Sequence, residues 1–191
     1  MLEPRIQQQF IDSADLHYQL AQQLAAPIAS AVQAVLASVT NGGKLLACGS
    51  GASAALAQQA ALFFVAGFER ERPGLAALAL GPWPGASAGD GLARQVHALG
   101  VAGDLLLAIS GEGEEQVLLD AVRAAQGREL TVVVLCGRDE ATWAGVLRET
   151  DVLIGVAHER AARVRELHAL VLHCLCDGVD TQLLGEQERM L

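Results

Sequence analysis

Two turns rich in glycine and serine hold the residues whose types and spacing could do chemistry. The first is Gly49-Ser50-Gly51-Ala52-Ser53. Its glycines allow a ligand to approach the backbone closely, and the unpaired N–H groups of a following helix favour a bound anion. The Ser53 hydroxyl adds a donor. The turn predicts an anion site formed by Gly49, Ser50, Gly51 and Ser53, unless these residues serve only the conformation of the turn and the helix cap.

The second turn, Ser110-Gly111-Glu112-Gly113-Glu114-Glu115, combines a serine with three carboxylates. Ser110 and Glu112 are the ligand-binding candidates here. Two unit charges 4 Å apart repel by about 4 kcal/mol at an effective dielectric constant near 20, so the carboxylates oppose a bound dianion. Alternatively, each glutamate stabilises the start of a helix by about 0.3 to 1 kcal/mol. Both effects can operate together, because an internal carboxylate would occupy the same amide groups.

Both turns follow short apolar runs that predict buried strands. Gly43 to Gly51 is echoed 60 residues later by Gly103 to Gly111, and each copy has the pattern of a strand, a tight turn and a helix. Strands that alternate with helices indicate a parallel sheet covered on both faces, with ligands bound beyond the carboxyl ends of the strands. The five predicted strands are 44–48, 75–80, 104–109, 131–136 and 151–156.

The first 41 residues predict helices with apolar positions at a spacing near 3.6. We expect two helices divided near Ala26-Pro27, because proline fits best in a first helical turn. A last helix is predicted from about Glu159 to Leu184. The chain of 191 residues is expected to form a single domain, with residues 1–41 as a helical arm used in oligomerisation and 42–191 as the α/β core.

Composition excludes several classes of function. The formal charge of −9 argues against direct binding of nucleic acid through its phosphates. We predict no membrane span, since glycine, glutamine or charged residues interrupt every apolar stretch before about 18 residues, and the N-terminus lacks the pattern of a signal peptide. The four cysteines show no zinc-binding spacing, so mostly buried, reduced thiols and a cytoplasmic location are expected. No cofactor and no metal site are predicted.

Several segments together resemble the sugar isomerase (SIS) domain family. The resemblance extends over nearly the whole chain. Within the family, the sequence is similar to the phosphoheptose isomerase group and its noncatalytic relative, the initiator-associating protein DiaA. It implies a three-layer α/β/α sandwich with a five-stranded parallel, flavodoxin-like sheet, an N-terminal helical arm and a homotetramer. The segments that carry it are 41–53, 68–73, 95–100, 103–110 and 163–168, with 173–177 on the DiaA side.

The positions that match the metal and acid/base residues of the isomerases differ in this sequence. Where the family pattern has His, Glu, Gln and His, the chain has Gln59, Phe63, Arg165 and His173. A catalytic zinc needs about three protein ligands, and Phe63 can neither accept nor donate a proton. His173 is therefore the single residual catalytic candidate, and a core or interface histidine is the alternative.

These departures lead to a main hypothesis and two alternatives. The main one is a noncatalytic, DiaA-like homotetramer that binds the replication initiator DnaA and regulates replication initiation, with avidity from its several copies. The first alternative is a phosphoheptose (sedoheptulose-phosphate) isomerase, for which a bound sugar phosphate is the ligand. The second is a sensor that binds a neutral or cationic sugar derivative through the glutamates of the second turn.

Three remaining segments have possible binding roles. Trp83, in a loop rich in glycine and proline, is either a partner anchor or folded back over the body of the protein. Arg160, Arg163 and Arg165 form a basic cluster that recognises an anion or an acidic partner, or simply forms a solvated face or ion pairs between subunits. Leu183 and Leu184 are the partner-binding candidates, because they are apolar residues near a polar chain end.

Overall fold

The computed structural model describes residues 1–81, 91–111 and 115–186, and within them five parallel strands form one sheet in the order β2-β1-β3-β4-β5. The strands are β1 (Leu45–Gly49), β2 (Ala77–Ala79), β3 (Leu105–Ile109), β4 (Thr131–Cys136) and β5 (Val152–Gly155). The helices are α1 (Glu3–Thr40), α2 (Ala54–Ala66), α3 (Gly91–Leu99), α4 (Glu115–Gly127), α5 (Glu140–Ala144) and α6 (Ala161–Leu184), and a 3₁₀ turn (Gly51–Ser53) precedes α2.

Helices cover both faces of the sheet. One face packs against α1, α2 and α6, and the other against α3, α4 and the wholly buried Trp143 of α5. Because both faces are covered, β3 and β4 are apolar almost throughout and do not alternate between polar and apolar residues. The predicted three-layer α/β/α sandwich with five parallel strands is confirmed. The short α5 was not predicted from the sequence.

The N-terminal segment is one continuous helix, so the predicted division near Pro27 is wrong. Proline lacks an N–H group and therefore removes the backbone hydrogen bond to Gln23, four residues earlier. Gln23 is exposed, so water can solvate its carbonyl group, and this loss does not break the helix. The use of residues 1–41 in assembly stays a prediction.

Helix α1 is long and apolar enough to span a membrane by composition alone, with a mean hydropathy of 1.4 over its most apolar 18 residues. Its contacts give these residues another role. Leu24, Val32 and Val35 are buried in the core shared with α6 and the sheet. The apolar character of α1 therefore matches a helix that packs on the domain.

The cysteines are distributed as expected for reduced thiols. Cys48, Cys136 and Cys176 are buried and Cys174 is exposed, and none is in a disulfide. Burial raises the pKa of Cys48 to about 12, which makes this thiol unreactive at neutral pH.

A buried carboxylate joins the starts of β1 and β3. Asp104 is 1% exposed and accepts hydrogen bonds from the backbone N–H groups of Lys44 and Val101, both at 2.9 Å. The Lys44 ammonium group lies 2.6 Å from Asp104 Oδ2. Lys44 and Asp104 hold equivalent positions in the 60-residue repeat, so the repeat places a cation and an anion side by side at the same edge of the sheet.

Replacing Asp104 with Ala should lower the free energy of unfolding by about 3 kcal/mol, because it leaves two amide donors and a partly buried ammonium group without their acceptor. Urea denaturation would measure the change. Asp120→Ala is the matched control, since Asp120 pairs with Arg123 on the surface and should change stability by no more than about 0.5 kcal/mol. Equal effects of the two substitutions would contradict this account.

Candidate functional site

The first predicted turn closes tightly at the carboxyl end of β1. The Ser50 N–H donates to Ile109 O at 3.2 Å, and the Ser53 N–H donates to Ser50 O at 2.9 Å. A Cβ atom added to Gly49 would lie 2.4 Å from Ser53 O, so only glycine fits there. Gly51 has a φ of +51°, in the left-handed region. Both glycines are thus explained by the path of the backbone.

The second turn lies beside the first because β1 and β3 are neighbours. Gly49 is in register with Ile109, so Ser50 and Ser110 follow paired positions. A Cβ atom on Gly111 would lie 2.6 Å from Ser53 Oγ, which shows that the two turns touch. The structure therefore brings together the candidates Gly49, Ser50, Gly51, Ser53 and Ser110, and Glu112 lies outside the described residues.

The three serines of this cradle, Ser50, Ser53 and Ser110, are buried, with exposures of 7%, 1% and 3%. The Ser50 hydroxyl has no hydrogen-bond partner within the described residues. A buried hydroxyl without a partner costs about 1 to 3 kcal/mol, and a ligand with acceptor oxygens would remove that cost. Ser50 is thus an independent indication that the cradle binds an acceptor-rich group.

The first turns of α6 lie over the second turn. Arg165 is half-buried, and its Cγ lies 3.5 Å from the point that a Cβ on Gly111 would occupy. Arg163 instead contacts Glu166 and Gln9, and the Arg160 guanidinium donates to Gln9 Oε1 at 2.8 Å. The predicted basic cluster is therefore divided, since two of its arginines hold α6 to α1 and the third lies at the cradle.

An aromatic cluster lies at positions where the resemblance implies metal and acid/base residues. The imidazole of His173 stacks on Phe68, with ring centroids 5.1 Å apart, and lies 5.7 Å from the Phe63 ring. Arg72 holds α2 against α6 here, because its Nε donates to Asp180 at 2.5 Å and its Nη2 donates to Phe63 O at 3.1 Å. His173 thus contacts two aromatic rings and is half-buried.

The side chains at these positions do not fit a zinc ion. Within residues 1–81, 91–111 and 115–186, no three His, Cys, Asp or Glu side chains are grouped so that they could hold a metal. Phe63 provides no ligand atom, and Arg165 is a cation. His173 by itself falls short of the three protein ligands that a catalytic zinc requires.

Amide side chains and an open groove lie next to the aromatic cluster on α2. A groove of about 450 Å³ is lined by Gln58, Gln59, Leu62 and Phe63, with Ala55 and Leu56. It combines two planar amides with one half-buried ring. Such a lining suits a ligand with both hydroxyl groups and C–H faces.

A second histidine, His168, lies beneath the site and is completely buried. Its Nε2 lies 3.2 Å from Cys136 O at the carboxyl end of β4, to which a neutral imidazole donates. Burial lowers the pKa of His168 to about 4, although the hydrogen bond to Cys136 opposes this effect. His168 is therefore neutral at physiological pH and holds α6 to the sheet.

The geometry defines a parallel α/β protein with a serine-lined cradle at the carboxyl edge of its sheet, and the comparisons identify its family. Residues 9–137 match the model of the SIS domain, and the chain belongs to this family. Over 98% of both chains it is 53% identical to the phosphoheptose isomerase of Methylibium petroleiphilum. It is 45% identical to that of Aromatoleum aromaticum, over 97% of this chain and 98% of the relative.

Solved structures give the same relationship. Phosphoheptose isomerase GmhA from Neisseria gonorrhoeae superposes with a TM-score of 0.83 and 35% identity, covering 95% of this chain and 100% of the other. A phosphoheptose isomerase from Francisella tularensis superposes with a TM-score of 0.88 and 32% identity, covering 95% and 99%. The resemblance inferred from the sequence, to the SIS domain and the phosphoheptose isomerase group, is confirmed.

These findings overturn the main functional hypothesis. The noncatalytic DiaA-like scaffold, and with it the inference that the protein is not an enzyme, is wrong, because relatives of up to 53% identity over almost the full length are phosphoheptose isomerases. The hypothesis treated Arg165 as a lost ligand, whereas its side chain lies beside Gly111 of the second turn. Closeness to DiaA has no support from these relatives.

Several sequence predictions stay predictions. The loop with Trp83 lies outside the described residues. Leu183 and Leu184 are exposed at the end of α6, as a docking role requires, but nothing identifies a partner. The interaction with DnaA was part of the scaffold hypothesis and falls with it, because the relatives are phosphoheptose isomerases.

The free energy of unfolding should fall as the pH is lowered from about 6.5 to 4, because His168 accepts a proton in the unfolded chain but not in the folded one. Over that interval the loss is about 3 kcal/mol, from 1.36 kcal/mol per pKa unit. Urea denaturation at several pH values should show a smaller slope for His168→Gln. Substitution of the exposed His97 is the control, and a slope that His168→Gln leaves unchanged would contradict the assignment.

Proposed function

We propose that the protein is a sugar-phosphate isomerase that interconverts the ketose and aldose forms of a seven-carbon sugar phosphate, with sedoheptulose phosphate as substrate. The observation that carries this proposal is the 53% identity to a phosphoheptose isomerase over 98% of the chain. The serine cradle supports it independently. A phosphorylated sugar is the ligand class that suits both an anion site and the adjacent groove.

The phosphate end of the substrate is assigned to the two touching turns. The N-terminal end of α2 favours a dianion through the helix dipole, although the Ser53 and Ala54 N–H groups there already donate to Ser50 O and Gly51 O. Ser53 and Ser110 add hydroxyl groups, and Ser50 provides a donor without a partner in the described structure. These groups would hold the phosphate and fix the direction of the sugar chain.

The sugar chain is assigned to the groove on α2. Phe63 offers a ring face to the C–H groups of the sugar, and the amides of Gln58 and Gln59 can both donate to and accept from hydroxyl groups. This arrangement orients a polyol without a charge. It would hold the reacting carbons close to the aromatic cluster.

His173 is the candidate for proton transfer. Isomerisation moves a proton between two adjacent carbons, and a positioned base accelerates this step by about 100- to 10,000-fold. Among Gln59, Phe63, Arg165 and His173, the imidazole is the side chain that can act as a general acid or base. Its packing against Phe63 and Phe68 would fix its position and limit access of water.

The test is turnover of sedoheptulose phosphate by the purified protein, followed by NMR. The wild type should convert the substrate, and it should do so equally after dialysis against a chelator, because the site does not fit a metal. His173→Asn should lower kcat by at least about 100-fold with little change in KM.

His97→Asn on the exposed face of α3 is the matched control for this assay and should retain full activity. The isomerase proposal would be contradicted if the wild type showed neither turnover nor thermal stabilisation by the substrate. Full activity of His173→Asn would reject this role of His173, and loss of activity with the chelator would reject the metal-free site.

We also infer that the protein is a homotetramer. The first half of α1 exposes large apolar side chains, including Phe10 at 75%, Tyr18 at 84% and Ile6 at 47%. Such a surface is typical of contacts between protein chains, and a second copy is the partner that the resemblance implies. The relationship to the phosphoheptose isomerases supports a soluble protein, and we place it in the cytoplasm.

Light scattering on the eluted protein should give the mass of four chains of 19.9 kDa each. Phe10→Lys combined with Tyr18→Lys should reduce this mass, because two buried charges would oppose the interface. The exposed Val101→Lys is the control and should leave the mass unchanged. A monomeric wild type would contradict the assembly.

A further inference from the structure

The placement of Arg165 on α6 gives the cradle a feature that the anion motif does not contain. Ser53 Oγ and Arg165 Cγ approach the same point, 2.6 Å and 3.5 Å from the Cβ that Gly111 lacks. A serine hydroxyl of the first turn and an arginine side chain of α6 therefore meet where the second turn begins. Both belong to elements far apart in sequence from Gly111.

We propose that Arg165 is a specificity-determining residue whose guanidinium binds the phosphate of the substrate held in the serine cradle. This inference rests on the proposed function, because it assigns one more ligand-binding group to the same site. Arginine suits the role, since its planar guanidinium can donate two parallel hydrogen bonds to phosphate oxygens and stays charged at every relevant pH.

The net negative charge of the chain makes a cation such as Arg165 important for binding a dianion. The protein has 22 acidic and 13 basic residues, and three glutamates follow Gly111 in the sequence at positions 112, 114 and 115. A chain of this net negative charge repels a dianion, so a cation at the site would offset that repulsion. Arg160 and Arg163 contact Gln9 of α1, so Arg165 is the member of the arginine cluster that lies against the cradle.

The surroundings of Arg165 point to a ligand as well as to packing. The buried Ser50 hydroxyl in the adjoining turn has no hydrogen-bond partner within the described residues, so the cradle contains a donor that a phosphate oxygen would satisfy. Arg165 is half-buried, which reduces solvent screening of its charge. Gly111 keeps the space between Ser53 and Arg165 free of a side chain.

Isothermal titration calorimetry with sedoheptulose phosphate tests the proposal. Arg165→Gln should weaken binding by about 10- to 100-fold, as expected for the loss of a charge-assisted hydrogen-bonding pair. Arg165→Lys should retain part of the affinity, because it keeps the charge but not the bidentate geometry. Inorganic phosphate, used as a competitor, should bind most tightly to the wild type, less tightly to Arg165→Lys and most weakly to Arg165→Gln.

Arg160→Gln is the matched control, because it removes a neighbouring arginine that contacts α1, and it should bind as the wild type does. In steady-state kinetics, Arg165→Gln should raise KM far more than it lowers kcat. A merely structural role would instead appear as a lower free energy of unfolding in urea, with unchanged affinity in the folded fraction.

Two outcomes would overturn the proposal, and they differ. If the wild type and Arg165→Gln bind sedoheptulose phosphate equally well, Arg165 does not bind the phosphate, and the isomerase proposal stands. If the wild type binds no sugar phosphate, both the isomerase proposal and the role of Arg165 are wrong.

Discussion

The parallel pairing of β1 with β3 is the constraint on which the rest of the site depends. In-register pairing from Leu45 with Leu105 to Gly49 with Ile109 ends both strands at the same height. The next residues, Ser50 and Ser110, therefore leave the sheet side by side. Because β2 lies on one side of β1 and β3 on the other, the chain crosses to opposite faces of the sheet at this point, which opens the crevice in which ligands of such sheets bind.

The same pairing depends on small residues and one buried charge. Glycines at 49 and 111 allow the two turns to touch through Ser53, where a Cβ atom would collide at less than 3 Å. At the other end of the strands, Asp104 holds Lys44 and two backbone amides together. The two ends have different roles, since the polar network fixes the register and the glycines let Ser53 pack between the two turns.

Local patterns in the sequence were sufficient to predict the sheet but not the assembly of the site. Apolar runs before Gly49 and Ser110, repeated after 60 residues, predicted the strands and the turns, because covered parallel strands are uniformly apolar. The continuity of α1 through Pro27 was missed, since it depends on packing and on the exposure of Gln23. The resemblance placed Arg165 at the site, but its approach to Gly111 was not predicted, because α6 reaches the β3 turn only through tertiary contacts, which no spacing within the helix predicts.

The hypothesis of a noncatalytic scaffold failed because it judged each altered residue of the site separately, as the loss of one ligand or of one favourable charge. Gln59 and Phe63 were taken as missing ligands and the acidic turn as a repulsive one, and each inference is physically sound for an isolated residue. In the fold, Phe63 packs with Phe68 and His173, and the Arg165 side chain lies beside Gly111. The site is thus divided between a cradle for an anion and an aromatic cluster with a single imidazole. Substrate binding and proton transfer are assigned to different side chains, so a substitution that alters binding need not abolish proton transfer.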